Sequence, residues 1–140
     1  MGDLSRHFSA WEFNCRCKKC ESKPIALSTL LALELLHVSL AMEFKQWIVI
    51  DIESAYRCPA YNATIPGASP RSKHIQSIAA DVKCYAISDD SQRAKVQIPP
   101  WECADIMNIL FPNSLGIGKY DTFTHIDTRE RFARWDFRSN

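Results

Sequence analysis

Two histidines and one aspartate have side chains that could bind a metal. Residues 72–81 place His74 and Asp81 among small and apolar residues, where a free carboxylate has no evident structural reason to lie. A further histidine, His125, follows much later, within residues 123–127. Two imidazoles and one carboxylate suit a catalytic zinc site, which leaves the fourth tetrahedral position to water. Taken singly, each residue is more often a core residue, a surface residue or a helix cap, but together they predict a zinc site.

A group of cysteines near the N-terminus is a second candidate for metal binding. The chain has six cysteines, and three of them are spaced as Cys15-x-Cys17-x-x-Cys20. In a reducing compartment, clustered thiols bind metal more often than they form disulfides. A structural zinc site needs a fourth ligand. Cys58 is the candidate, because a distant ligand would tie the N-terminal segment to the core, while reduced thiols or an adventitious disulfide are the alternative.

Length and composition are those of an ordinary globular protein. For 140 residues we expect one domain, 1–140, with an N-terminal helix and cysteine knuckle over 1–24 and a core over 25–140. A net charge of +1 gives no support for a general binder of nucleic acid or membrane surfaces. The polar start predicts synthesis in the cytoplasm without a signal peptide. We also expect a monomer, and no run of apolar residues reaches the length that a membrane span requires, about 18 residues.

The spacing of apolar residues indicates helices and strands in mixed order. Apolar residues three and four positions apart predict a helix over Leu27–Phe44, whose buried face would consist of Leu27, Leu30, Leu31, Leu35, Val38 and Met42. His37 in this helix is interpreted as a surface residue. We expect a further helix over 101–110 and strands over 47–52, 79–85, 116–120 and 124–126. This mixture without regular alternation predicts an α+β domain with helices packed on a small, mostly antiparallel sheet.

Four separated motifs resemble those of one known family. They are Phe-x-x-x-Glu-Phe-x-Cys-x-Cys (8–17), Ser-Ala-Tyr-Arg-Cys-Pro-x-x-Asn (54–62), Ser-x-His-x-x-Ser-x-Ala-x-Asp (72–81) and Phe-x-His-x-Asp (123–127). The pattern resembles the zinc D-alanyl-D-alanine carboxypeptidases, in the compact form found in many phage genomes, and spans Leu4 to Trp135. That family is related to lysostaphin-type peptidases and the hedgehog domain. The resemblance implies a hedgehog-like fold and zinc-dependent hydrolysis of peptidoglycan peptides at the cell wall, by a carboxypeptidase or by an endopeptidase such as a phage endolysin.

The resemblance also implies roles for individual residues. His74, Asp81 and His125 match the family's zinc ligands, so the implied cofactor is a catalytic Zn²⁺, beside the candidate structural Zn²⁺ at the cysteines. Arg57 matches an arginine that contacts substrate or stabilises charge beside the metal, with a structural salt bridge as the alternative. Ser72 matches a serine that touches the substrate backbone.

Three positions depart from the family pattern. Ser77 and Ala55 stand where the family has glycine, a residue used for positive φ or for close approach. Thr122 stands where several relatives have a carboxylate three residues before the last histidine, so the pattern supplies no general base.

Asp127 is the first candidate for the general base, because residues two apart on a strand face the same side and would place it beside His125. It could equally orient an imidazole. Asp121 is the alternate base, and Glu53 would be the next to test. Trp135 and Phe132 could wall a cleft, although aromatic residues in a C-terminal tail more often close a core.

Two functions other than a peptidase fit parts of the sequence. A non-catalytic zinc-binding interaction domain of the hedgehog type would explain Thr122. A nucleic-acid-binding knuckle built on Arg16, Lys18 and Lys19 would explain only the N-terminal segment, since the chain has no wider basic face.

Overall fold

A sheet of six strands forms the scaffold of the protein. A computed structural model describes residues 2–139, and its strands are β1 (Trp47–Ser54), β2 (Ala79–Ile87), β3 (Lys95–Gln97), β4 (Gly116–Lys119), β5 (Thr124–Asp127) and β6 (Ala133–Asp136). Their order is β1-β2-β5-β4-β6, and β3 pairs with β2. Every pair is antiparallel except β4 with β6. The predicted α+β class with a mostly antiparallel sheet is confirmed.

Helices pack on this sheet and close the core. They are α1 (Leu27–Phe44), α2 (Pro59–Asn62) and α3 (Pro100–Leu110), preceded by a short 3-10 helix at Ala10–Phe13. The predictions of α1 and α3 are confirmed. The sequence did not predict β3 and β6, because all residues of β3 are exposed and those of β6 are half-buried or exposed. Strands without a buried face leave no alternation of apolar and polar residues.

The prediction of the buried face of α1 is wrong. Leu27, Leu31, Leu35, Val38 and Met42 are exposed, with Leu27 at 68% and Met42 at 73%. The face that packs on β1, β2 and α3 consists of Thr29, Leu30, Ala32, Leu33, Leu36, His37 and Leu40. Because leucines occur on both sides of this helix, their spacing allowed two faces. Full burial of each core leucine contributes about 1.5–3 kcal/mol.

Polar groups on the true inner face of α1 find partners in the core. Thr29 donates from Oγ1 to the carbonyl of Ile78 at 2.9 Å. His37 is buried rather than on the surface, and its Nε2 lies 3.0 Å from the carbonyl of Ile48. Its ring stacks on His7 with centroids 3.5 Å apart. Burial lowers the pKa of His37 and outweighs the bond to Ile48, which raises it, so burial favours a neutral imidazole in the core.

One helix, α1, is long and apolar enough to cross a membrane by length and composition alone. The core helix of a soluble protein meets the same criterion, and α1 packs against β1, β2 and α3.

Candidate active site

The site is built on directly paired residues of neighbouring strands. Asp81 on β2 pairs with His125 on β5 and, on its other side, with Ser54 on β1. Directly paired residues of an antiparallel sheet project from the same face. His74 reaches this row from the turn that precedes β2. The topology therefore collects side chains from positions far apart in the sequence.

The three predicted zinc ligands meet in this row. His125 Nδ1 lies 2.9 Å from Asp81 Oδ1, and His74 Nε2 lies 3.3 Å from Asp81 Oδ2. One ligand atom from each residue lies within 4.8 Å of the other two, and all three residues are buried. Two imidazole nitrogens and a carboxylate oxygen converging on one point suit zinc and are a poor set for calcium or magnesium.

The outer nitrogen of each imidazole is held by an acceptor. His74 donates from Nδ1 to the carbonyl of Ala55 at 2.7 Å, and His125 donates from Nε2 to Asp127 Oδ2 at 2.8 Å. Such bonds select the tautomer and orientation of a metal-binding histidine. They leave His74 Nε2 and His125 Nδ1 directed at Asp81, the two nitrogens that a metal needs.

Asp127 accepts hydrogen bonds from both His125 and Arg129. Arg129 donates to it from Nε at 2.8 Å and from Nη2 at 2.7 Å, and its backbone N–H donates at 3.1 Å. Burial raises the pKa of Asp127, but hydrogen bonds from Arg129 and His125 outweigh this and hold the pKa well below its usual range. Asp127 is completely buried. The carboxylate therefore stays charged behind His125.

Sequence reasoning did not identify Arg129 as part of the site, although a glycine signals its position. A Cβ on Gly116 would lie 2.5 Å from both Arg129 Nε and Asp127 Oδ2. Gly116 on β4 pairs with Asp127 on β5. Glycine is therefore required here for close approach of the ion pair.

The charges around His125 favour binding of a cation. Burial raises the pKa of Asp81, but hydrogen bonds from His125 and His74 outweigh burial and lower it. Burial lowers the pKa of His125, but hydrogen bonds to Asp127 and Asp81 outweigh burial and raise it. The His125 ring thus lies between two ionised carboxylates, which would also stabilise a bound metal ion.

Arg57 lies just beyond the end of β1. Its Nη2 is 3.4 Å from Asp81 Oδ2, its Nε donates to Ser54 Oγ at 3.1 Å and its Nη1 donates to Asn62 Oδ1 at 3.3 Å. Ser72 accepts from the backbone N–H of His74 at 3.2 Å through Oγ. Both Arg57 and Ser72 line the cleft beside the ligands.

An open cleft of about 710 Å³ lies over the three ligands. Its basic lining residues are Arg57, Arg71, Lys73 and Arg129, and Asp81 is the only acidic residue among the described residues that line it. Tyr120, Phe123, Trp135 and Phe137 form its aromatic wall. Trp135 therefore walls the cleft, whereas Phe132 lies outside it, 53% exposed beneath Arg134.

The alternate base candidates lie outside the cleft. Asp121 is exposed and accepts from the backbone N–H and the hydroxyl of Ser139 at 3.0 and 2.6 Å. Thr122 is exposed, and its carbonyl accepts from Gln97. Glu53 pairs with Lys83 at 3.8 Å. The roles of Asp127, Asp121, Arg57 and Ser72 stay predictions.

The two glycine replacements differ in their backbone. Ser77 has a φ of +58°, a region that costs a non-glycine residue about 1–2 kcal/mol. It is buried, and its hydroxyl donates to the carbonyl of Lys23 at 3.2 Å. Ala55 is not among the positive-φ residues of the described chain. Ser77 thus occupies a backbone conformation that favours glycine, whereas Ala55 does not.

The four cysteines of the predicted structural site also converge. Cys15, Cys17, Cys20 and Cys58 place their sulfur atoms within 4.8 Å of one another. All are free thiols.

Two histidines and one aspartate beside an open cleft suit a catalytic metal site with one position left for water. The chain belongs to the Peptidase M15 family, whose family model matches residues 6–127. No curated protein and no solved structure matches the chain. The resemblance to zinc D-alanyl-D-alanine carboxypeptidases is thereby confirmed. Membership of this family implies a zinc-dependent metallopeptidase with peptide substrates.

Proposed function

We propose that the protein hydrolyses peptide bonds in bacterial peptidoglycan, within stem peptides or cross-links. The observation that supports this proposal best is the convergence of His74, Asp81 and His125 on the floor of an open, basic cleft. Family membership supports peptide hydrolysis, and the motif resemblance to zinc carboxypeptidases supports peptidoglycan as the source of the peptide. The site of action would be a bacterial cell wall, that of the host if a phage encodes the protein.

His74 Nε2, Asp81 and His125 Nδ1 would hold the zinc. When bound, Zn²⁺ polarises a scissile carbonyl and lowers the pKa of a water molecule from about 16 to about 7. Ala55 and Asp127 keep the two imidazoles in the tautomers that binding requires, because each accepts a hydrogen bond from the outer nitrogen.

Arg57 would bind the substrate. Two of its three contacts are with the neutral groups of Ser54 and Asn62, and its ionic contact with Asp81 is long at 3.4 Å. A bidentate pair with a substrate carboxylate is stronger than such contacts. The same guanidinium can instead stabilise the negative charge that develops on the carbonyl oxygen. Ser72, which lines the cleft, would contact the substrate backbone.

We infer that Asp127 orients His125 and does not accept a proton from water. A general base must come within about 2.6–3.2 Å of the proton it removes, directly or through one water. Asp127 is completely buried, and both its oxygens are occupied by Arg129 and His125. Asp121 could act as the base only by leaving Ser139 and turning into the cleft.

Digestion of purified peptidoglycan, followed by mass analysis of the products, tests the proposal. Release of free D-alanine identifies a carboxypeptidase, and new amino ends within stem peptides or cross-links identify an endopeptidase. His74→Ala should release neither. Asp51→Asn is the matched control, because this exposed carboxylate pairs with Lys95 outside the cleft. A zinc-loaded wild-type protein that yields no more product than His74→Ala would overturn the proposal.

A second candidate function is a non-catalytic zinc-binding interaction domain. The observation that favours it is the cleft lining, which contains no acidic residue besides Asp81 within residues 2–139. Such a domain would bind stem peptides in a zinc-dependent manner without cleaving them. Calorimetric titration of a stem peptide into zinc-loaded protein, combined with the digestion, separates the two functions.

A further inference from the structure

The four cysteines lie where the N-terminal segment meets the chain that follows β1. Cys58 Sγ is 3.9 Å from Cys17 Sγ, and no two of the four sulfurs are more than 4.8 Å apart. Tetrahedral zinc with Zn–S bonds of about 2.3 Å holds its sulfurs about 3.8 Å apart. The spacing therefore matches a tetrathiolate site.

Backbone N–H groups point at these sulfurs. Lys19 donates to Cys17 Sγ, Tyr61 donates to Cys58 Sγ and Cys58 donates to Cys15 Sγ, each at 3.4 Å. A sulfur that accepts such bonds is stabilised as the thiolate, the form that binds metal. The turn between Cys17 and Cys20 depends on Lys18, whose φ is +58°.

Charge around the cluster suits the same ligand. A zinc ion with four thiolates carries a net charge of −2, since each thiol releases its proton to solvent on binding. Arg16, Lys18 and Lys19 are interleaved with the ligands in the sequence. Arg16 also donates from Nη2 to the carbonyl of Ile52 at 2.7 Å, which fastens the cluster to β1.

We propose that Cys15, Cys17, Cys20 and Cys58 bind a structural zinc ion that positions the substrate arginine and one ligand of the active site. Segment 55–58 connects the two centres, because some of its residues contact the active site and Cys58 belongs to the thiol cluster. Ala55 accepts from His74 Nδ1 at 2.7 Å, Arg57 contacts Asp81 at 3.4 Å, and Cys58 belongs to the thiol cluster.

Backbone bonds hold this segment between the two centres. Tyr56 donates to the carbonyl of Phe13 at 3.2 Å, on the side of the cysteines. Arg57 donates from its backbone N–H to the carbonyl of His74 at 3.2 Å, on the side of the active site. Binding of zinc to Cys58 restricts this segment and so restricts Arg57 and His74. Cys58 is in this sense a positioning residue, and this half of the proposal rests on the proposed peptidase function.

Zinc content tests the site itself. Protein purified with its thiols reduced should hold two zinc ions per chain by elemental analysis. Cys20→Ser and His74→Ala should each hold one, and the double variant none. Cys103→Ala is the matched control, because this buried cysteine lies outside the cluster, and it should retain two. A wild-type protein with one zinc that disappears in His74→Ala would overturn the cysteine site and leave the peptidase proposal intact.

A second test does not depend on whether Cys20→Ser folds. It uses the absorption spectrum of Co²⁺ bound to His74→Ala, which keeps all four cysteines. Four thiolate ligands should give intense sulfur-to-cobalt charge-transfer absorption in the near ultraviolet. A spectrum without these bands would overturn the site. Bands in His74→Ala, together with a zinc-loaded wild-type protein that never cleaves peptidoglycan, would support the cysteine site and count against the peptidase function.

Affinity at the other centre tests the coupling. Loss of the structural zinc in Cys20→Ser should weaken zinc binding at His74, Asp81 and His125 by about 10- to 100-fold, the usual effect of disturbing the partners of a ligand. It should also raise KM more than it lowers kcat, because Arg57 binds substrate. Cys103→Ala should show neither change. The two variants are compared under conditions in which each has lost the same amount of melting temperature relative to wild type, so that a general loss of stability is not mistaken for the coupling. Unchanged affinity in Cys20→Ser would overturn the positioning role.

Discussion

Asp81 and His125 face each other directly across β2 and β5, with Asp81 Oδ1 2.9 Å from His125 Nδ1. This pairing makes the proposed metal site part of the sheet, because the hydrogen bonds of two strands fix the separation of two ligands. His74 lies outside the strands and is held by its bond to Ala55 and by the turn at Ser77. Changes near His74 should therefore affect metal binding more readily than changes within the strands.

Removal of a ligand should abolish both metal binding and hydrolysis. We expect His74→Ala to lose the zinc of the active site, since two protein ligands would then remain. Elemental analysis and peptidoglycan digestion measure the two effects. Asp51→Asn should match the wild type in both, and an unchanged zinc content in His74→Ala would show that the ligand assignment is wrong.

Replacement of Asp127 distinguishes an orienting group from a general base. If Asp127 orients His125, Asp127→Asn should weaken zinc binding by about 10- to 100-fold and leave turnover at saturating zinc near that of the wild type. A general base would instead lower turnover by about 100-fold or more. Turnover and zinc affinity measured separately decide between the roles.

Asp121→Asn completes this comparison. The Asp121 carboxylate contacts Ser139 and lies outside the cleft, so we expect turnover to remain within about twofold of wild type, in contrast to the 100-fold scale of proton transfer. A large loss of turnover with normal zinc content would identify Asp121 as the base. Ser139, which holds the Asp121 carboxylate, would then have to move away from it.

The close approach of Gly116 to the Asp127–Arg129 pair predicts a coupled effect. A Cβ at position 116 would displace both side chains, so Gly116→Ala should weaken zinc binding to the degree seen in Asp127→Asn. The double variant should lose little more than either single variant, because both changes disrupt the same contact. If the losses of zinc affinity in the two single variants add up in the double variant, Gly116 does not act through the Asp127–Arg129 pair.

The backbone at Ser77 predicts a difference in stability. Ser77→Gly should change the free energy of unfolding by less than about 1 kcal/mol, since relief of the positive φ offsets the lost hydrogen bond to Lys23. Ser77→Val should lose about 2 kcal/mol or more, because a β-branched residue is strained at positive φ. Urea denaturation of both variants measures this difference, and equal stability would contradict the role of φ.

Protein stripped of zinc should be most stable between about pH 4 and 6.5, the interval bounded by the unfolded pKa values of aspartate and histidine. The pKa values of Asp81 and Asp127 are depressed by folding, so their contribution is lost as pH falls below about 4. The pKa of His125 is raised, so its contribution is lost as pH rises through the folded value. Thermal melting across pH measures both slopes, and His125→Gln should remove the alkaline one.

The sequence alone determined the chemical types of the site. Histidine, aspartate and cysteine in four ordered motifs predicted the family and two groups of metal-binding side chains. Small residues followed by Val82, and the short stretch from Thr124 to Ile126, predicted the strands that carry Asp81 and His125, because buried strands leave a pattern in the sequence. Exposed strands such as β6 leave none, so the strand that brings Trp135 to the cleft was not predicted.

Only the tertiary structure decided which atoms face one another. The sequence could not show that Arg129 occupies the Asp127 carboxylate, because that contact depends on a gap at Gly116 in a neighbouring strand. It could not show which side of α1 is buried, because leucines surround the helix and only the sheet selects a face. Nor could it place residues 55–58 between two metal-binding groups, since that arrangement arises from backbone hydrogen bonds to Phe13 and His74, residues distant in sequence that meet only after folding.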